Sequence, residues 1–153
     1  MTREMKILGL LLSFGLAISS AGAQTSTDER AAALVAVNSL RTDLPSGARL
    51  ALITDSTIAV NAYLASELAL PTATYADVND CTAIRECKIT QGGFALVVRS
   101  VVISGDTANI TAITWEDEPL VHHVGRVTFA IKVARSSATA PWTIVSREVL
   151  LRS

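Results

Sequence analysis

The chain has 153 residues, half of them apolar and 18% charged, with 13 basic against 14 acidic side chains. A net charge of −1 excludes nucleic-acid binding by phosphate neutralisation, which needs a basic surface. High apolar content and low net charge likewise exclude an intrinsically disordered chain, and the length fits one domain.

The first segment reads as a secretory signal peptide. Arg3 and Lys6 precede an apolar run over residues 7–18, and Ala21-Gly22-Ala23 follows as a small-residue cleavage pattern ahead of Gln24. That run is shorter than the roughly 20 apolar residues of a membrane-spanning helix. No cysteine follows it to accept a lipid, so residues 24–153 are expected to be secreted or periplasmic, with no membrane anchor after cleavage. Loss of Arg3, Glu4 and Lys6 leaves eleven basic and thirteen acidic side chains on that mature domain.

Ser26 and Glu29 have the spacing of a capping box, and a helix is expected from Asp28 to about Asp43. Ala31, Ala32, Leu34 and Val35 form its apolar stripe, and Pro45 and Gly47 stop it. Residues 49–54 read as a strand or extended entry. A second helix, capped by Asp55 or Ser56, is expected to run to about Ala69, with Pro71 ending it. Residues 71–93 then form a long connection that carries Cys81 and Cys87. In an oxidising compartment this pair is expected to be a structural disulfide, since Cys-x5-Cys lacks the spacing and flanking ligands of a metal site.

From Phe94 the pattern turns to β structure. Residues 94–103 are β-branched and apolar on both faces, as in a central strand. Ser104-Gly105 makes a hairpin turn, and residues 107–115 form the partner strand. A third strand over residues 121–134 alternates Val127, Phe129, Ile131 and Val133 with polar neighbours, which gives a sheet with one wet face. Residues 142–151 make the last strand. The expected fold is α+β, with N-terminal helices packed on a curved antiparallel sheet of about four strands.

The order of elements, the length of the mature part and the pairing of Phe129-x-Ile131-x-Val133 with Trp142-Thr-Ile-Val145 resemble the nuclear-transport-factor-2-like, or cystatin-like, superfamily. The resemblance implies a cone-shaped fold with a pocket between sheet and helices. Isomerases, dehydratases and plain binding modules all use that pocket, so the fold alone does not set the function. The cystatin motif Gln-x-Val-x-Gly is absent.

The chemistry-bearing motifs are missing too. There is no nucleophile elbow, phosphate loop, dinucleotide fingerprint, zinc-protease motif or calcium loop, so no catalytic residue, metal site or cofactor is assigned. His122 and His123 are adjacent after the acidic Glu116-Asp117-Glu118, but neighbours on a strand face opposite ways and do not easily share one ion. Small helix residues Ala31, Ala62 and Ala65 are expected to leave a gap over the sheet. Tyr63, Trp115, His123 and Phe129 are the expected boundary of a small apolar ligand there. The sequence thus suggests an exported binding module for a small molecule or a protein partner. A lyase- or isomerase-type enzyme using the same pocket, or an accessory part of an envelope assembly, stand as alternatives.

Intact mass spectrometry of the exported protein without reductant checks both covalent expectations. The mass should match residues 24–153 less two hydrogens, and a full-length chain or two free thiols would contradict them.

Overall fold

The apolar run after Gly93 is central because both faces of its first half are covered. The structure, a computed structural model, describes residues 20–79, 93–118 and 123–153. The elements in order are α1 (Ser20–Arg41), β1 (Arg49–Ile53), α2 (Val60–Glu67), β2 (Thr72–Ala73) and α3 (Tyr75–Asn79). Four long strands follow: β3 (Gly93–Ser104), β4 (Thr107–Glu118), β5 (His123–Ala134) and β6 (Thr143–Arg152).

The α+β class is as expected, but the sheet has six strands in the order β2-β1-β3-β4-β5-β6 and is mixed. The strands β3 to β6 pair antiparallel in sequence, whereas β1 pairs parallel with both β2 and β3. The expectation of about four antiparallel strands missed the parallel edge. Two-residue β2 carries no periodic signal, and parallel pairing depends on the crossover through α2 rather than on a local turn. The β3–β4 turn has Gly105 and Asp106 at its centre, one residue later than expected, and Gly105 takes φ of 58°, a value glycine adopts without steric cost.

Two hydrophobic clusters lie on opposite faces of the sheet. On one face α1 and α2 pack over Leu50, Leu52, Leu96, Val98, Ile110 and Ile131. On the other, Val78 of α3 joins Ile53, Ala95, Val97 and Trp115. Odd residues of β3 therefore face α3 as far as Val97. Arg99 is then an extra residue opposite β4, since Val98 pairs with Ala112 and Ser100 with Thr111. This bulge exchanges the faces, so that Val101 and Ile103 pack with the α1 side. Beyond it the α3 side of β3 is open, and Val102 is exposed.

The helices differ from the expectation at their starts. Helix α1 begins at Ser20, so Ser26 is inside it rather than its cap, and Ala21-Gly22-Ala23 is helical. Its buried stripe is Ala32, Ala33, Ala36, Val37 and Leu40, with Ala31, Leu34 and Val35 at the margin. The small residues set one turn apart bring the helix axis close to the sheet. Helix α2 begins at Val60 with no side-chain cap. Asp55 instead accepts the Tyr75 backbone N–H (3.0 Å to Oδ1), and Ser56 Oγ accepts from Ile58 N–H and Asn61 Nδ2.

Asn61 is fully buried and replaces a strand. Pairing of β1 with β3 ends at Leu52↔Leu96, which leaves Val98 without a backbone partner on that side. The Asn61 carboxamide supplies one: Oδ1 accepts the Val98 N–H at 2.8 Å and Nδ2 donates to the Val98 carbonyl at 2.9 Å. All of its buried polar atoms are thereby satisfied. At the far end of α2, Ala69 adopts φ of 49°, and Leu70 N–H bonds back to the Ala65 carbonyl in a Schellman-type stop. An alanine in that left-handed position is strained by about 1 kcal/mol.

The outer strand β6 is exposed along its length, including Ile144, Val145, Val149, Leu150 and Leu151. Val145 and Leu150 are both extra residues opposite β5.

Two substitutions test these local accounts by chemical denaturation. Asn61→Ala strands the Val98 N–H and carbonyl in a dry site and should cost about 3 kcal/mol. Ala69→Gly relieves the left-handed strain at an exposed position and should raise stability by about 0.5–1 kcal/mol.

Candidate functional site

Two arginines fix α1 over one half of the sheet. Arg135, which follows the last residue of β5, holds Asp28 in a two-pronged ion pair at 2.7 and 3.0 Å. It also bonds Asp106 at 3.0 Å and lies 4.5 Å from the centre of the Trp142 ring. Asp28 first, and Asp106 after it, hold this guanidinium further above its ordinary range, so it stays cationic throughout. At the C-terminal end of the helix, Arg147 pairs with Asp43, just beyond it, and donates to the Ser39 carbonyl at 3.0 Å. Because Arg147 sits opposite Ile131 in the register, both anchors fall at the last five positions of 131–135. The opposite half of β4 and β5 runs on past the helix.

No helix among the described residues covers that half, which forms a cleft of about 380 Å³. Its floor is Phe94, Thr114, Val127 and Phe129 from three neighbouring strands, each half-buried. Leu40 and Leu44, at the end of α1 and just beyond it, form one wall, and Val149 of β6 forms the other. The rim carries Asp43, Glu116, Arg147 and Arg152. Asp43 and Arg147 are already paired with each other. Glu116 and Arg152 are exposed and make no ion pair among the described residues. The strand register explains their placing. Glu116 stands between Phe94 and Gly125, whereas Arg152 stands beside Val127, whose other neighbour is Thr114.

The four residues expected around one gap are divided. Phe129 lines this cleft and belongs to the α1-side core. Tyr63 packs at the edge of the same core but further off, under Arg30, whose guanidinium carbon is 5.1 Å from the ring centre. Trp115 is on the opposite face, edge-on to Tyr75 at 6.2 Å. His123 opens β5 opposite Glu118, and its side chain lies outside the described residues, as do His122, Cys81 and Cys87. Of the eleven residues that line the cleft, the expected boundary named only Phe129. The alternation of Val127 with Phe129 along β5 and of Phe94 with Leu96 along β3 offered a signal for two of the others, and no motif marks the charged rim.

Two other concavities lie around the 56–59 segment, of about 410 and 320 Å³. One is lined by Glu29, Arg30, Ile58 and Val101, and the other by Asp55, Ser56, Tyr75 and Arg99. In the second, Arg99 donates to the Tyr75 hydroxyl at 2.9 Å, which ties the bulge to α3. Among the described residues no group of three or more His, Cys, Asp or Glu side chains could hold a metal ion. None of their helices is long and apolar enough to cross a membrane.

Comparison with protein-family models, curated proteins and solved structures finds no match.

Proposed function

We propose that the chain is an exported, non-catalytic module that holds a small, largely apolar molecule in the cleft beyond the end of α1. The observation that carries this reading is the apolar floor of Phe94, Val127 and Phe129, which no helix among the described residues covers because α1 is anchored toward the other half of the sheet. The volume of about 380 Å³ falls in the range of small-ligand sites, roughly 300–1,000 Å³. The lining of the cleft joins that apolar floor to Thr114 and four charged side chains, a more polar balance than the usual small-ligand site. The rim charges belong to carboxylates and guanidiniums, which can bind and orient a ligand of complementary charge. Export rests on the three-part pattern of residues 1–23, and its removal leaves the buried stripe of α1 from Ala32 onward intact.

The neutral fluorescent probe N-phenyl-1-naphthylamine tests the cleft without recourse to its charges. It should bind saturably with one site per chain. Thr114→Tyr, which fills the floor from a strand position suited to aromatic residues, should abolish that binding at nearly unchanged stability. Equal probe binding by this variant, or none by the native protein, would count against the reading.

A further inference from the structure

The rim of the cleft carries opposite charges on opposite sides. Glu116 comes from β4 and Arg152 from β6, with β5 between them. Strands are spaced about 4.8 Å apart, so these two backbones are roughly 10 Å apart across the sheet. Along the strands they are also offset. Arg152 lies in the row of Val127 and Thr114, and Glu116 is two residues further along β4, about 7 Å. The two positions are thus separated by roughly 12 Å, and each side chain leans into the cleft from its own side. No side chain fills the place beside Glu116 on β5, because Gly125 stands there. The other two rim charges are committed, since Asp43 pairs with Arg147 and the Ser39 carbonyl takes a further Arg147 donor.

An apolar floor bounded by a free carboxylate at one end and a free guanidinium at the other complements a molecule of matching polarity. Resting on the cleft reading above, we infer that the ligand is a short zwitterion with an apolar body, of the size of an apolar dipeptide. Its ammonium group meets Glu116, its carboxylate meets Arg152, and its side chains lie on Phe94, Val127 and Phe129. Length decides the class. An extended chain spans about 3.3–3.6 Å per residue, so the end charges of a dipeptide are about 7 Å apart. That distance fits once both rim side chains have reached inward. A single amino acid carries both charges on one carbon and reaches only one rim group. A tetrapeptide, at about 14 Å, overruns the two positions. Arginine also suits a carboxylate because its planar fork donates to both oxygens at once.

Calorimetric titration of the mature protein with leucyl-leucine, its N-acetyl derivative and its C-terminal amide tests the inference. The free dipeptide should bind at least tenfold more tightly than either blocked form. Glu116→Gln should lower affinity for the free dipeptide about tenfold and leave the N-acetyl form unchanged. Arg152→Gln should do the same for the free acid and leave the amide unchanged. Both residues are exposed, and thermal melts of the two variants confirm that the fold is kept. Equal binding of free and blocked peptides, or losses that do not follow the matching end group, would overturn the inference. If N-phenyl-1-naphthylamine binds and is blocked by Thr114→Tyr while leucyl-leucine does not bind, the zwitterion inference fails and the cleft reading stands. If neither binds, the cleft reading itself fails.

Discussion

The carboxamide of Asn61 does for β3 what a neighbouring strand would do if β1 were longer. It matches the N–H and the carbonyl of Val98 at the residue where β1 has already left the sheet and just before the Arg99 bulge begins. With those two groups satisfied, β3 can bulge, change faces and still remain fully paired to β4. The same side chain draws in Ser56 and Ile58, so the loop leading to α2 is fixed by the strand it helps to complete. Packing of α2, the course of the 56–59 segment and the exchange of faces in β3 all depend on this one buried amide. A buried polar group of this kind gives little net energy when satisfied and costs much when it is not. Its effect is therefore to select one arrangement.

A second constraint acts at the other edge of the helix layer. Arg135 and Arg147 clasp α1 through Asp28, within the helix, and Asp43, just past its end, and the Arg135 cluster is the more sheltered of the two. Its guanidinium is stacked on Trp142 while two carboxylates share its donors, a combination that lysine could not reproduce. By holding the helix to one half of the sheet, these pairs decide which apolar strand residues are covered. The floor of the cleft is the remainder. A site can thus arise from the length and anchoring of a helix, without any residue in the floor being unusual in itself.

Much of this architecture was legible in the residues, and the failures have physical causes. The strands after Phe94 show in their alternation because antiparallel neighbours follow one another and their pairing is local. Of the two parallel strands, β1 shows as a short apolar piece over residues 49–54, whereas Thr72 and Ala73 pair with residues twenty positions earlier and carry no pattern of their own. Trp115 was grouped with Phe129 although the two lie on opposite faces. Counting parity along β4 and β5 separately gives no relation between strands, and only the register, with Ala112 opposite Phe129, shows that the faces differ. The face exchange at Arg99 was hidden for a similar reason. A run apolar at nearly every position reads the same with or without an extra residue. The charged rim depends on Arg147 and Arg152 at the chain's last strand, and no motif marks them.

The final strand has a property that follows from its two extra residues. Residues 143–152 are rich in β-branched and leucine side chains, lie at a free edge and expose most of their apolar surface. Such a segment would ordinarily invite stacking of identical copies into a fibre, which needs flat strands in register at a repeat of about 4.8 Å. Val145 and Leu150 each set two residues of β6 against one of β5, which bends and twists the strand at both points. A copy arriving at the free edge meets a ribbon curved twice within ten residues, with Arg147, Glu148 and Arg152 spread along it. Templating would require β6 to straighten and to surrender its pairing with β5 first. The bulges therefore protect the fold from its own most apolar edge, and they do so without adding a single covering residue.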